Sequence, residues 1–371
     1  MARARPPLFT ARSSRFAGLD RQNARLLLAI VAVLAAIAIA LSTASLLPVP
    51  EPIAPDQPRQ TDAALYRSIV EGIRNGGSYY DVAADALRAG HYPLRPFVAF
   101  RLPTLAVVQA ALPHIVGILL LFVLAAGTAA AWLSRLRVAL PRPGALAAAM
   151  VLIAGGLIAF VQPPIAVFHE IWAGLLIALS LALRRPGRWL DAVALGLIAM
   201  LVRETALLYV AVMGGMALLE GRVREALGWA ATVVVFAIVV LFHARAVGLV
   251  VQPGDLTSPG WQGMMGLGFV LESISVSTAL AMLPIWLSAA LLMIALIGWA
   301  GWDDPLAART LATILAYALL IGLFARADNF YWGLMIAPVA LIGIAFAPDA
   351  IRDIIVAAFD RRRITVTRLE R

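Results

Sequence analysis

The run Thr61-Asp62-Ala63-Ala64-Leu65-Tyr66 puts a carboxylate directly after a capping hydroxyl and one helical turn before a phenol. Further on, Phe100-Arg101-Leu102-Pro103 puts a guanidinium where the chain turns into an apolar stretch. A carboxylate held at a helix start can take a proton from a hydroxyl, and a guanidinium offers a fork of donors to phosphate oxygens. Together they suit group transfer from a phosphate at a membrane face, with Asp62 as the base. The competing reading of Asp62 is an ordinary carboxylate at a helix N-terminus.

Four cations are candidates for the phosphate: Arg101, Arg203, His243 and Arg326. Arg101 can equally anchor to lipid headgroups. Arg203 and Arg326 each stand beside an acid, Glu204 and Asp328, so each can equally be a local ion pair at a helix end. His243, followed by Arg245, ends an apolar run. His169 and Glu170 open another run, and as helical neighbours they point in different directions. Glu170 is a second acid that would orient an acceptor or share a divalent cation with Asp62. Tyr66, Tyr80, His91, Asp328 and Asn329 supply polar and aromatic groups for a sugar, whereas His114 reads as a buried polar contact. Asp81 and Asp85 share one helical face, the ordinary solvated side. No zinc pattern, Walker loop, dinucleotide fingerprint or Gly-x-Ser-x-Gly elbow occurs, which removes the common soluble chemistries. Carboxylates without a spacing signature specify no metal, so no cofactor is required and a divalent cation is an option.

These residues punctuate a chain of 371 residues that is 62% hydrophobic and only 14% charged, a balance that belongs to integral membrane proteins. A crossing needs about 20 apolar residues. Apolar runs fall at 26–47, 105–133, 144–161, 165–183, 189–203, 205–219, 226–247, 278–301, 306–325 and 333–347, which predicts an all-α bundle of about ten transmembrane helices with both termini on one side. There is no cysteine, and all 30 basic residues are arginine. The net charge of +9 is spread over loops between apolar runs, which fits membrane orientation and no nucleic-acid partner. Most of the arginines fall on one side if the N-terminus is cytoplasmic, as the positive-inside rule favours. The resulting plan is a basic cytoplasmic tail at 1–25, one polytopic domain at 26–347 with outward loops at 48–104 and 248–277, and a second basic cytoplasmic tail at 348–371.

Lipid does not explain the stretch from Pro48 to Pro103. Five prolines from Pro48 to Pro58 make an extended lead-in. Leu65, Ile69 and Ile73, broadened by Tyr66 and Val70, then recur at helical spacing until Asn75-Gly76-Gly77. Tyr79, Val82, Ala83, Ala86 and Leu87 line a second helix that Gly90 stops. Two such helices on the outer interface would floor a cavity. The glycine- and proline-rich stretch at 248–277 reads as a flexible loop able to act as a lid. The run 189–219 reads as a hairpin, because its two flanks are both basic, with Arg203-Glu204 at its tip.

In Thr61-Asp62-Ala63-Ala64-Leu65-Tyr66, Gly77-Ser78-Tyr79-Tyr80, Gly90-His91-Tyr92-Pro93 and Phe100-Arg101-Leu102-Pro103, followed by many spans, the chain resembles the GT-C superfamily of membrane glycosyltransferases. In layout it is similar to protein mannosyltransferases and the lipid A aminoarabinose transferase. It differs in having Asp62-Ala63 where the family has an acidic pair, and Leu102 within the re-entry motif. The resemblance implies a polyprenyl-phosphate sugar donor, a lipid or glycan acceptor, and inverting transfer with Asp62 as base. It also implies a periplasmic site in a bacterial inner membrane. A transporter or flippase of a lipid-linked saccharide would show paired charges within spans and broken helices. A membrane acyltransferase would centre on a histidine, for which His169 and His91 are available.

Overall fold

The computed structural model describes residues 6–44, 61–260 and 263–359. The proline-rich lead-in at 48–58, Arg3, Arg5, Trp261 and the arginines from Arg361 onward lie outside the described residues. Among the described residues every regular element is helical, and extended pairing is limited to the isolated bridges Arg95–Thr257 and Arg185–Arg188. The α-helices are α1 (Arg21–Ala44), α2 (Asp62–Arg74), α3 (Tyr79–Ala89), α4 (Thr104–Ala111), α5 (His114–Ala139), α6 (Pro143–Gly156), α7 (His169–Leu183) and α8 (Leu190–Val202). They continue as α9 (Leu207–Leu219), α10 (Val223–Val250), α11 (Gly266–Val276), α12 (Ile285–Gly301), α13 (Pro305–Phe324), α14 (Ala337–Ala340) and α15 (Ala347–Phe359).

Helices α1, α5, α10 and α13 are long and apolar enough to cross a bilayer. A fifth crossing exists if Ala327–Met335 and Ala337–Phe359, bent by 59° from each other, make one broken span. The protein is therefore an all-α membrane protein, with the remaining apolar helices shorter than a full crossing. Leu26, Val33, Leu119, Val123, Leu241 and Phe242 lie exposed along the long helices, the pattern of surfaces that meet lipid.

The expected run at 105–133 is two helices. Leu112 is extended (φ −108°, ψ 145°), because the ring of Pro113 clashes with a helical residue before it. The freed α4 packs against α2. The run 189–219 is a hairpin, as its flanks suggest. A Cβ on Gly196 would lie 3.3 Å from Val210, whereas a straight helix would hold those residues about 21 Å apart. The Ser180 hydroxyl ties both arms together, donating to Ala192 O at 2.7 Å and meeting the Tyr209 hydroxyl at 2.6 Å.

Two expectations change more. The stretch 248–277 is not a free loop. Its second half is α11, with Phe269, Leu271 and Ile274 buried, and its first half is strapped to the segment after α3. There Leu94 N donates to Leu256 O and Ser258 N to Arg95 O, while Arg88 pairs with Asp255 at 2.8 Å. The last apolar run is a broken helix: 3-10 turns at Ala327–Met335 and Ile342–Phe346 flank α14, with Asn329 out of helical geometry (φ −97°, ψ 20°). Backbone approach explains the break's tolerance, since a Cβ on Gly298 would lie 1.8 Å from Gly343 O. The described part of the segment after Pro348, read as a tail, is α15, which packs along α1.

The bundle has two distinguishable ends. At one, α2, α3, α4, the tip of the α8–α9 hairpin, the start of α7 and the turn after α13 converge. At the other, Arg184 forks onto Glu225 at 2.7 and 2.8 Å, and Arg309 forks onto Glu220 at 2.6 and 2.8 Å. These pairs join α7, α10, α13 and the end of α9. Bidentate geometry satisfies both charges where water is scarce.

Candidate functional site

Thr61 caps α2, its side chain accepting from Ala64 N, so Asp62 is the first helical residue with its carboxylate outside the turn. Both of its oxygens are engaged by phenols. Tyr92 donates to Oδ1 at 2.8 Å and Tyr331 donates to Oδ2 at 3.0 Å. An ionised carboxylate has about four acceptor positions, so two remain for another hydroxyl. Asp62 thus sits where a segment from each half of the chain meets, and it faces an open cleft.

That cleft encloses about 1130 Å³, part of it continuous with solvent, and its wall includes Asp62, Tyr66, Arg101, His169, Arg326, Asp328 and Asn329. Seven of the residues singled out from the sequence therefore share one cavity. Its other lining is mostly apolar or aromatic, with Leu65, Ile69, Leu105 and Ala106 from α2 and α4, and Tyr79, Tyr331 and Trp332, beside the polar Gln109 and Ser258. Half of the surface would suit a hydrocarbon and half a polar group.

Arg101 is fixed from both sides along the chain. The Tyr79 hydroxyl donates to Arg101 O, Leu102 N donates to Glu204 Oε1 at 2.9 Å, and the guanidinium Nε donates to the Tyr66 hydroxyl at 3.3 Å. Burial pushes the Tyr79 hydroxyl well above the ordinary phenol value, so it stays a donor. Among the described residues no carboxylate pairs with Arg101, which leaves its charge available to an anion in the cleft. Arg326 is different, since Asp328 holds it at 2.6 Å. That hydrogen bond raises the Arg326 pKa above its usual value.

Below the floor lies a buried ionic chain. Arg203 is 2% exposed and approaches Glu170 at 2.6 Å and Glu204 at 3.2 Å. The Arg203 N–H nearest Glu170 is not aimed along a hydrogen bond, so this contact is an ion pair by distance alone. The Arg203 guanidinium also lies 5.8 Å from the centre of the Trp332 ring, within reach of a cation–π attraction. Arg203 and Glu204 therefore do not reach a ligand directly, and they brace the wall instead. Glu170 is fully buried, and it is turned to Arg203 and not to Asp62. Among the described residues no group of three or more acids and histidines gathers as cation ligands. The two acids considered from the sequence as sharing a cation each meet other groups, Glu170 the Arg203 guanidinium and Asp62 the phenols of Tyr92 and Tyr331.

His169 is 2% exposed, lines the cleft, and has no hydrogen-bond partner at either ring nitrogen. Its ring packs edge-on against Tyr66, centroids 5.0 Å apart. Three predicted residues, His243, Tyr80 and His91, fall elsewhere. His243 is buried under α3, where Tyr80 meets its Nδ1 at 3.2 Å and the Phe97 ring lies 6.3 Å away. It cements α10 to α3 and does not line the cleft. His91 is exposed, with the left-handed φ of 56° that ends α3.

The sequence reading did not assign roles to Tyr92, Tyr331 or Trp332. Their signal was available in the clustering of aromatic with polar residues at Gly90-His91-Tyr92-Pro93 and Arg326 to Trp332. The pairing with Asp62 was not available, because it spans 269 residues. Comparisons with protein-family models, with curated proteins and with solved structures give no match for this chain, so its function is read from the cleft itself.

Proposed function

We propose that the protein transfers a sugar from a polyprenyl-phosphate donor to a lipid or glycan acceptor, as an inverting GT-C glycosyltransferase. The observation that carries this reading is the shared cleft, in which the Asp62 carboxylate and the unpaired Arg101 guanidinium face a half-apolar cavity. In the reaction Asp62 takes the proton of the acceptor hydroxyl as that oxygen bonds to the anomeric carbon. The bond from that carbon to the phosphate oxygen breaks, and the phosphate leaves with the electron pair, held by Arg101. The phenols of Tyr92 and Tyr331 keep the carboxylate oriented, and leucines of α2 and α4 receive the isoprenoid. No metal is needed for this balance of protons and charge.

On this reading the shorter apolar helices complete about ten crossings. The end with Arg184, Arg222 and Arg309 is cytoplasmic by the positive-inside rule, and the cleft opens on the periplasmic side of a bacterial inner membrane. The test is a reconstituted assay in which labelled sugar passes from a synthetic polyprenyl phosphate to membrane lipid. Formation of product that depends on Asp62 supports the reading, and a protein that binds the donor without ever releasing polyprenyl phosphate would sink it.

A flippase reading draws on a specific observation. The broken helix at 327–346 and the hairpin tip beside the buried Arg203–Glu170 pair are the discontinuities expected of a transporter. Movement of an intact lipid-linked saccharide across vesicles, without a change in its mass, would select it.

A further inference from the structure

The end of the bundle opposite the cleft carries a second cavity that the transfer reaction does not use. Asp304, which caps α13, lines it, whereas Arg326 beyond the far end of the same helix lines the cleft. Twenty residues of helix separate them by about 30 Å. The cavity spans about 1140 Å³, part of it open solvent, between the N-terminal segment at 10–14, the last turns of α5, the turn after α7 and the turn between α12 and α13. Its apolar side is Trp302 stacked on Phe346, ring centres 4.2 Å apart and 7° from parallel.

The acids in its wall are already engaged. Asp349 is 1% exposed and accepts the backbone N–H groups of Leu8, Phe9 and Thr10. Asp304 accepts from Leu306 N at 2.8 Å and lies 3.6 Å from Arg135. Asp303 is taken by Arg15 at 3.2 Å. The arginines are not engaged in the same way. Among the described residues Arg12 and Arg185 have neither an ion pair nor a side-chain hydrogen bond, and both line the cavity. Arg135 also has Arg184 and Arg185 as like-charged neighbours. Asp304 takes up part of the Arg135 charge, so the charge left over in this cavity is positive and comes from Arg12 and Arg185 on two separate segments, with Arg135 between the acid and its like-charged neighbours.

We propose that this cavity binds a phosphate group, bridging Arg12 of the N-terminal segment, Arg135 of α5 and Arg185 of the α7–α8 turn. Guanidiniums arranged around one point are suited to forked contacts with phosphate oxygens. The Trp302–Phe346 stack gives the cavity an apolar wall beside the charge. The same chemistry is presented by an anionic phospholipid headgroup and by free phosphate. In either case the bound anion ties the N-terminal segment to the bundle.

The experiment uses the full chain purified in a zwitterionic detergent, with its thermal midpoint as readout. One arm adds inorganic phosphate against chloride of equal ionic strength. The other adds phosphatidylglycerol against phosphatidylcholine. A saturable rise in the first arm identifies free phosphate as a ligand, and a rise confined to the second identifies the lipid headgroup. In either case the double variant R12Q/R185Q needs roughly tenfold more ligand for each guanidinium lost. Arg188→Gln, on the same turn but outside the cavity, leaves the midpoint response unchanged. No shift in either arm overturns the proposal, and so does an equal shift in R12Q/R185Q and the unaltered chain. None of these residues touches the cleft, so the result stands apart from any test of sugar transfer.

Discussion

Glu204 accepts the backbone N–H of Leu102 through Oε1 while its other oxygen meets Arg203. The tip of the α8–α9 hairpin thereby holds the backbone next to Arg101, which has no carboxylate partner among the described residues. A partly buried charge pair at a hairpin tip is here a support for a neighbouring residue, and the support acts through the main chain. Glu204→Gln keeps an acceptor for Leu102 N and is expected to preserve activity. Glu204→Ala leaves that N–H without a partner, at a cost of about 1–3 kcal/mol, and is expected to raise the donor KM. Thermal melts and donor titrations of the two variants separate these outcomes, and equal behaviour of the two would remove the main-chain role.

Asp62→Asn is expected to lower the transfer rate by roughly 10²–10⁴-fold, the range for loss of a general base. The amide retains contact with Tyr92 and Tyr331, so expression, membrane insertion and the thermal midpoint stay near those of the unaltered chain. A turnover assay beside a melt decides the matter, and normal turnover would assign Asp62 to capping only.

Arg101→Gln removes the cleft charge and should weaken donor binding by roughly 10–100-fold, the worth of a charged hydrogen bond to phosphate. The same change at Arg326 should cost less, because Asp328 already neutralises it. Donor KM values for the two variants provide the comparison. A larger effect at Arg326 would reverse the assignment.

Gly333 lets the broken helix lie against α11, since a Cβ there would fall 2.2 Å from Ser273 O, and Gly174 does the same for α7 against Leu334 O at 2.3 Å. Backbone atoms cannot step aside as side-chain tips can. Gly333→Ala is expected to destabilise by about 1–3 kcal/mol and to reduce turnover by displacing Tyr331 from Asp62. A melt with unchanged midpoint would contradict this packing.

The Arg88–Asp255 contact gives a pH dependence. The hydrogen bond from Arg88 lowers the Asp255 carboxyl from its ordinary 3.8 to about 2. Its folded-state value is depressed, so its contribution is complete above pH 3.8 and fades as the pH falls toward 2. The strap at 251–258 should loosen in that window and hold above it. Amide exchange at Ser258, whose N–H meets Arg95 O at 2.7 Å, reports the change. Exchange that does not depend on pH, after correction for intrinsic rates, would exclude it.

The sequence was most legible where local chemistry decides the structure. Thr61, Asn75, Ser78 and Gly90 bound α2 and α3 as their capping types suggest, and the apolar stripes of both helices face inward. Basic flanks were enough to read the hairpin at 189–219. Hydropathy failed inside uniformly apolar runs, because it reports solvent preference and not backbone breaks. Hence α4 and the kinked stretch at 327–346 do not separate from their neighbours in hydropathy, although Pro113 marks the first of them, and α11 is hidden differently, by the glycines and prolines that make 248–277 read as a loop. His243 and Arg203 stand at span ends beside Arg245 and Glu204, a position that suits either a phosphate ligand or a local partner, and the partners they have in the fold, Tyr80 and Glu170, lie far off in sequence. The Asp62–Tyr331 contact had no local signal at all.

Asp349 binds three backbone N–H groups from residues 8–10, and Asp353 binds Ser14 through both its N–H and its hydroxyl. In synthesis order the earliest described segment first meets Ala139, whose carbonyl accepts from Ala11 N at 2.8 Å, and Arg142, which donates to Pro7 O, long before these two acids emerge. Its docking is completed, not begun, when α15 arrives and residues 8–10 and Ser14 gain their carboxylates. A chain halted before Asp349 would hold that segment by fewer bonds, and protease would cut it faster there than in a chain that includes α15 while both sit in the same membrane.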